Sequence, residues 1–492
     1  MVDIKIHPHS EVFVRIETDR GILQEMADHF SFFVPGYKFT PKFKLGMWDG
    51  KIRLLNLGTS LIYKGLVHYI IDFAKRQSYS FACEPSLRLV NDFNSTDFEK
   101  FLSFIDCVYT PKDYQMNGFM TCVQNNRALI LSPTGSGKSL MIYLLATFYP
   151  KRKLIIVPTI NLVHQLAKDF LEYSSGNFDD VLKITGETEK GWQKKIDASV
   201  VISTWQSIAK MPKSFFQQFN VVIGDEAHLC TAKSLSGILE KLDNCKFRFG
   251  FTGTLDGAKA NQLVLEGLFG KVTQLITTKE LMDTNQLATL DIKIKILKYS
   301  DEHKKLMAKS KYKDEMNFIV GHEPRNHYIR DLAISCKGNT LVLFQYVERH
   351  GKILHDMIIS ATKKKRKVFF IFGGTAGAQR EAVRGIVEQE KDAIIIASYG
   401  TYSTGINIKN LHNVIFASPS KGKIRNLQSI GRGLRISTEK NTCTLYDIAD
   451  DLTHNSYINH TLGHLHIRVK IYIAEKFNYS IEKVILGGID GI

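Results

Sequence analysis

The sequence predicts an α/β protein: two tandem parallel-sheet lobes behind a small α+β domain. Three observations carry that expectation. Short apolar runs alternate with helically spaced ones from residue 98 to 275, the same rhythm returns after residue 336, and residues 1–97 follow a different pattern. At 492 residues the chain also exceeds what one hydrophobic core ordinarily serves.

In the first 97 residues, Val12, Val14 and Ile16 alternate as in a half-buried strand, and Ile22, Leu23, Met26 and Phe30 follow at helical spacing. The first lobe (98–275) shows candidate strands at Ala128–Leu131, Leu154–Val157, Val200–Ile202, Val221–Ile223 and Phe249–Phe251, with a helical stripe of Leu162, Leu166 and Phe170 between them. Apolar runs of that length separated by helices suit a parallel sheet covered on both faces. The segment 276–335, charge-rich around Asp301–Lys313, is expected to connect the lobes. The second lobe (336–461) repeats the rhythm at Leu341–Phe344, Val368–Phe372, Ala393–Ile396, Val414–Ala417 and Thr444–Tyr446. Residues 462–492 read as a C-terminal helix and tail, which either completes the second lobe or docks a partner. Lys363–Lys367 resembles a nuclear import signal, but it lies between a helix and a strand, where a basic helix end is ordinary.

Hydrophobic residues at 44% and charged residues at 23% are the balance of a globular protein, and a net charge of +16 favours a polyanionic partner. The seven cysteines show no paired or zinc-ligand spacing. Leu140–Tyr149, the most apolar stretch, is half the length of a membrane span, and the N-terminus lacks a signal-peptide layout. A cytoplasmic monomer with no membrane association is expected.

Leu131 is followed by Ser132-Pro133-Thr134-Gly135-Ser136-Gly137-Lys138-Ser139, between an apolar strand and an apolar helix. That is the setting of a phosphate-binding loop: glycines turn backbone N–H groups toward phosphates, and the helix N-terminus adds its positive end. Lys138 would reach the β- and γ-phosphates of ATP, and the Ser139 hydroxyl would take Mg²⁺. Ser132 stands where the general pattern has glycine. Val221–Ile223 leads to Gly224-Asp225-Glu226-Ala227-His228, a strand ending in two carboxylates at the sheet edge where ligands bind. Asp225 would hold Mg²⁺, and Glu226 would orient and deprotonate water.

These two motifs together resemble superfamily 2 helicases, whose remaining motifs follow in order. The resemblance implies two RecA-like lobes and a role for each match. Gln115, after Tyr114, would read adenine. Thr159 in Val157-Pro158-Thr159 and Thr204 in Ser203-Thr204-Trp205-Gln206 would contact nucleic acid. Thr252, Gly253 and Thr254 would couple hydrolysis to strand movement. In the second lobe, Gln428, Arg432 and Arg435 lie in Gln428-Ser429-Ile430-Gly431-Arg432-Gly433-Leu434-Arg435, with Gln428 a coupling residue and Arg435 the preferred arginine finger. Gly405 would contact ATP, while Asn407 replaces the aspartate many members carry there. Residues 401–435 hold six Lys/Arg and no Asp/Glu, so Lys421 and Lys423 are candidate DNA contacts, or a solvated loop.

A narrower resemblance, to the UvsW-type DNA helicases of T-even bacteriophages, runs over nearly the whole chain with many substitutions. It rests on Phe39–Leu54, the Asn161–Phe170 helix, Thr204-Trp205-Gln206, Ala397-Ser398-Tyr399-Gly400 and Glu475–Tyr479. It implies remodelling of branched DNA (stalled forks, Holliday junctions, R-loops with their RNA) alongside recombination and replication proteins. Gly36–Arg53 carries Lys38, Lys42, Lys44, Lys51 and Arg53 against Asp49, interleaved with Tyr37, Phe39, Phe43 and Trp48. Lys42, Lys44, Trp48, Lys51 and Arg53 are therefore candidate DNA contacts, with Phe39 and Phe43 expected in the small domain's core. Other readings are an RNA helicase, a duplex translocase of the restriction-motor type, and a DNA-binding scaffold on an inactive ATPase. Intact Lys138, Ser139, Asp225, Glu226, Arg432 and Arg435 argue against the last.

Overall fold

The computed structural model describes residues 2–87, 90–188, 197–363, 365–401, 408, 410–419, 422, 431 and 442–486. The chain forms two compact units, one of residues 1–132 and 137–276, the other of residues 277–492 with the loop 133–136.

The first unit opens with β1 (Ile4–Pro8), β2 (Phe13–Thr18), β3 (Ser31–Phe33), β4 (Lys51–Arg53), β5 (Leu55–Asn56), β6 (Leu61–Tyr63) and β7 (Phe81–Cys83). Five of these form a sheet in the order β5-β6-β2-β1-β7, antiparallel except for the β1–β7 pair. The helix Arg20–His29 is started by Asp19, whose carboxylate accepts from the Gly21 and Ile22 N–H groups. Its Ile22, Met26 and Ala27, with Val67, Ile70, Phe73 and Ala74 of the helix Val67–Arg76, pack against Ile4, Ile6, Val14 and Ile16.

The first lobe follows with β8 (Arg127–Leu131), β9 (Lys153–Val157), β10 (Val181–Ile184), β11 (Val200–Thr204), β12 (Val221–Asp225), β13 (Phe247–Thr252) and β14 (Val272–Gln274). They form one parallel sheet in the order β10-β11-β9-β12-β13-β8-β14. Strand alternation divides the core in two. Ile130, Ile155, Val157, Ile223 and Phe251 face the helices Asp113–Asn125, Lys138–Phe148 and Ile160–Tyr173; Leu129, Leu154, Ile156, Val201 and Val222 face the other way.

That second layer is continuous with the core of the N-terminal domain, so the expected accessory domain and the lobe share buried side chains. The join is close. A Cβ on Gly65 would sit 2.0 Å from the Glu266 carbonyl oxygen, and one on Gly267 would lie 2.8 Å from Tyr63 Cβ, on the helix Lys259–Phe269. Around it, Glu11 pairs with Lys64 at 2.8 Å and Arg127 at 3.1 Å, and the Tyr63 hydroxyl donates to Glu240 at 2.6 Å.

The second unit contains β15 (Thr289–Lys298), β16 (Thr340–Phe344), β17 (Val368–Ile371), β18 (Ile394–Ser398), β19 (Asn413–Phe416), β20 (Thr442–Asp451) and β21 (Tyr479–Ile485). They form a parallel sheet in the order β17-β18-β16-β19-β20-β15-β21. One expectation is corrected here, and one alternative left open by the sequence is decided. Segment 276–335 is not merely a connection, because it supplies β15, and Ile319, Ile329 and Ala333 of its helices pack with Val342, Phe344 and Ile415. The final segment is more than a helix and tail: after the helix His460–Ala474, β21 pairs with β15 and completes the sheet. Both strands find partners through long-range pairing that local periodicity does not reveal.

Two buried ion pairs stiffen this lobe. Arg325 binds Asp450 at 2.7 Å and the Ala417 carbonyl at 2.8 Å, and Arg468 binds Asp447, which also accepts from the Tyr472 hydroxyl. The basic run at 363–367 is structural among its described residues: Lys363 ends the helix Lys352–Thr362, and the Arg366 guanidinium caps the carbonyls of Ala333, Ile334, Cys336 and Gly338. All seven cysteines are free. Among the described residues, no helix is long and apolar enough to cross a membrane.

Candidate nucleotide site and nucleic-acid interface

The phosphate loop leaves β8 with Ala128, Leu129 and Ile130 buried beneath it. Gly135 and Gly137 take φ of +88° and +77°, conformations that cost other residues about 1–2 kcal/mol. Gly137 opens the helix Lys138–Phe148, and a Cβ there would lie 2.3 Å from Gln115 Nε2, so two constraints demand glycine. Ser132, the departure from the general pattern, is buried, does not take a positive φ, and donates its N–H to the Thr252 carbonyl at 2.9 Å. Its place therefore has no need of glycine. Lys138 Nζ donates to the Ser132 carbonyl at 3.1 Å across the loop. Gln115 is buried, its Oε1 accepting from the Lys112 N–H at 2.9 Å.

The carboxylates close β12, between β9 and β13 in the sheet. Asp225 is in extended backbone, but Glu226 adopts left-handed φ 51°, ψ 47°, a conformation that re-aims its side chain at about 1–3 kcal/mol. Burial pushes the Asp225 carboxyl up to about 6, the neighbouring Glu226 charge adds to that, and Lys138 and His228 oppose it. Lys138 is thus close enough to act on Asp225. A hard oxygen pair, the Ser139 hydroxyl and the Asp225 carboxylate, suits Mg²⁺ rather than a softer ion.

Beside Glu226, a polar contact runs from His228 to the Thr252–Thr254 motif. Glu226 Oε2 lies 3.3 Å from His228 Nδ1, which lies 2.9 Å from Thr252 Oγ1, and that hydroxyl donates to the Thr254 carbonyl at 3.0 Å. The structure thereby joins two sequence motifs through His228, to which the sequence alone attaches no separate role. A second residue missed by sequence is Tyr173, whose hydroxyl stands 2.7 Å from Ser139 Oγ. Burial pushes the Tyr173 hydroxyl up to about 12. Neither link has a spacing signature, because each joins residues on different elements.

The candidate DNA contacts are differently placed. Thr159 starts the helix Ile160–Tyr173, its side chain accepting from the Leu162 N–H at 3.4 Å. Thr204 is buried, its hydroxyl 2.8 Å from that of Ser207. In the N-terminal domain β3 pairs with β4, and the excursion between them carries one helical turn, Pro41–Lys44, capped by Thr40. Phe33 stacks on Tyr37 at 4.6 Å, Tyr37 meets Phe43 edge-on at 4.8 Å, and Trp48 donates its ring N–H to the Lys51 carbonyl at 2.8 Å. Lys51 lies over the Phe33 ring, while Arg53 pairs with Asp49 and holds that carboxyl down at about 2.

The expectation of a core position holds only in part for Phe43, which is half-buried in the local stack, and fails for Phe39, which is 82% exposed. The short excursion cannot enclose both rings. Leu45 and Met47 are likewise 71% and 72% exposed, beside exposed Lys42 and Lys44. Gly405, Asn407, Lys421, Lys423, Gln428, Arg432 and Arg435 lie outside the described residues.

Three family models match in succession: the N-terminal domain of DNA helicase UvsW over residues 3–84, the res subunit of type III restriction enzymes over 99–257, and the helicase conserved C-terminal domain over 325–437. The ATP-dependent DNA helicase uvsW of Enterobacteria phage T4 is 37% identical, covering 98% of this chain and 100% of the relative. A putative helicase of a Sulfolobus islandicus filamentous virus is 24% identical, covering 68% of this chain and 64% of its own length. The crystal structure of T4 UvsW superposes with a TM-score of 0.53 at 36% identity, covering 99% of this chain and 100% of that one. A fragment of a putative HsdR subunit of a type I restriction enzyme from Vibrio vulnificus, at 14% identity and TM-score 0.58 over 96% of this chain and 84% of that one, shares the fold. With 98% of its length matched at 37% identity, the chain belongs to the UvsW family of superfamily 2 DNA helicases.

Proposed function

We propose that this helicase hydrolyses ATP at the edge of the first-lobe sheet and uses the energy to remodel branched DNA: forks, Holliday junctions and R-loops. Gln115 reads the adenine, and Lys138 with the 133–139 loop grips the phosphates. Ser139 and Asp225 would hold Mg²⁺, which would supply positive charge to offset that of the phosphates. Glu226 orients water and takes its proton, and Arg432 and Arg435 offset charge developing on the γ-phosphoryl. His228 connects Glu226 to Thr252, so occupancy at the carboxylates alters the segment that meets the DNA strand.

One observation carries the branched-DNA reading. The exposed apolar trio Phe39, Leu45 and Met47 stands beside Lys42 and Lys44 on a domain that shares a core with the first lobe. Lysines hold phosphates while apolar side chains lie against bases that a junction leaves unpaired. The setting is the cytoplasm of an infected cell, alongside recombination and replication proteins.

The test compares ATP hydrolysis without nucleic acid and with single-stranded DNA, forked DNA or matched RNA, using Lys138→Ala as the inactive control. Strongest stimulation by forks is expected. The triple variant Phe39→Ser, Leu45→Ser, Met47→Ser should lose the fork preference and keep single-strand stimulation. An unchanged fork preference in the triple variant, or stimulation by RNA alone, would overturn the proposal.

A further inference from the structure

Ser139 Oγ and the Tyr173 hydroxyl are 2.7 Å apart. Tyr173 ends the helix Ile160–Tyr173, on a different element from the phosphate loop, and several neighbours fix its ring. It meets Tyr143 edge-on at 5.7 Å and Tyr109 at 5.6 Å. Its carbonyl accepts from the Val108 N–H at 2.9 Å, and the Tyr109 hydroxyl donates to the adjacent Glu172 at 2.6 Å. The tyrosine oxygen is therefore presented to Ser139 by a packed surface rather than by a free side chain.

A serine hydroxyl has one proton and two lone pairs, and its Cβ–Oγ bond has three staggered settings. To ligate a small octahedral cation it must aim one lone pair within narrow limits, and its proton then needs an acceptor. A phenol oxygen at hydrogen-bond distance can accept that proton or donate to the second lone pair, and either arrangement selects one setting of the serine.

We propose that Tyr173 is a positioning residue for the Mg²⁺ ligand Ser139, making the divalent cation's contribution to nucleotide binding dependent on the tyrosine hydroxyl. This rests on the assignment of Ser139 as a Mg²⁺ ligand. Tyr173 touches neither phosphate nor reacting atoms in this scheme and acts only through the serine.

The experiment measures binding of a fluorescent ADP analogue to the full chain, without turnover, in EDTA and across a Mg²⁺ titration. It is run for the wild type, Tyr173→Phe and Tyr109→Phe. Tyr173→Phe keeps the ring and removes one oxygen, while Tyr109→Phe removes a hydroxyl from the same aromatic cluster without touching Ser139. In EDTA all three should bind the analogue alike, which also reports an intact pocket. With Mg²⁺, the gain in affinity should shrink about three- to tenfold in Tyr173→Phe, the weight of one net hydrogen bond, and be kept in Tyr109→Phe. An equal gain in Tyr173→Phe and wild type, a larger gain in Tyr173→Phe, or an equal loss in both variants overturns the positioning role. If Mg²⁺ leaves wild-type affinity unchanged, the assignment of Ser139 itself fails.

Discussion

Glu226 combines a left-handed backbone, a neighbouring half-buried carboxyl and a close histidine that meets Thr252. Removing its negative charge while keeping its shape isolates its chemical role. Glu226→Gln is expected to bind ATP normally and to lower turnover about 10²–10⁴-fold, the range for loss of a general base, in a single-turnover assay. Retained turnover would move the base elsewhere. Gly137→Ala tests the loop backbone: both the positive φ and the 2.3 Å approach to Gln115 oppose a methyl group. It should abolish nucleotide binding in the same fluorescence assay while circular dichroism is preserved. At this scale sequence was informative about residue type. Lys138, Ser139, Asp225 and Glu226 are recognisable by spacing, and Gln115 by its place upstream. Tyr173 was not, because its partner lies 34 residues away on another helix. Phe39 faces solvent although an aromatic side chain in a small domain ordinarily finds a core.

The helix Lys259–Phe269 follows the Thr252–Thr254 motif and is also the seat of the N-terminal domain. The Gly65–Gly267 approach permits that seat, since a side chain at either place would meet backbone or the Tyr63 ring. Gly65→Val is expected to lower stability by about 1–3 kcal/mol, the cost of overpacking, in denaturant unfolding. It should also speed limited proteolysis between residues 84 and 94. A variant as stable and as resistant as wild type would show that the two layers do not depend on this approach. Among the strands, the eleven legible in sequence are all present, and most of the ten in the lobes are legible because their apolar runs are buried on both faces. The edge strands β10 and β14 leave no clear signal in the sequence, being short and part-exposed. In β15 the alternation of Leu290, Ile292 and Ile294 is visible, but the neighbouring charges made it resemble a linker.

For the molecule as a whole, charge and pH govern behaviour. A net charge of +16 and exposed lysines beside apolar side chains predict DNA affinity that falls steeply with salt. A flat response in binding titrations at rising salt would contradict an electrostatic contribution. Acid stability has a separate source in the second unit. His322 starts the helix Glu323–Ser335 by accepting from the Arg325 N–H through Nδ1 at 3.4 Å, which requires a neutral ring. Burial, His303 and Arg325 press its pKa down to about 4, and Asp450 opposes them. Because the folded value lies below the ordinary 6.5, the unfolded chain binds more protons between those limits. The histidine's stabilising share is therefore complete above about pH 6.5 and is lost as pH falls toward 4. Melting temperature should drop from pH 7 to pH 5, and the drop should be smaller in His322→Asn, which keeps a capping acceptor without a titratable ring. An equal drop in both proteins would remove His322 as the cause.

By itself the sequence determined the fold class, the order of the two lobes, and the motifs from which a nucleotide site is proposed. Each is encoded locally, in apolar periodicity, in glycine spacing, and in carboxylates placed at a strand's end. Only the tertiary structure decided that segments 289–298 and 479–485 complete the second sheet and that the N-terminal domain shares a core with the first lobe. It also decided that His228 joins two motifs, that Tyr173 meets Ser139, and that Phe39 faces solvent. The physical reason is common to all of these. Partner choice between distant segments depends on which surfaces remain after each element has buried its own apolar face, and no local pattern records that remainder.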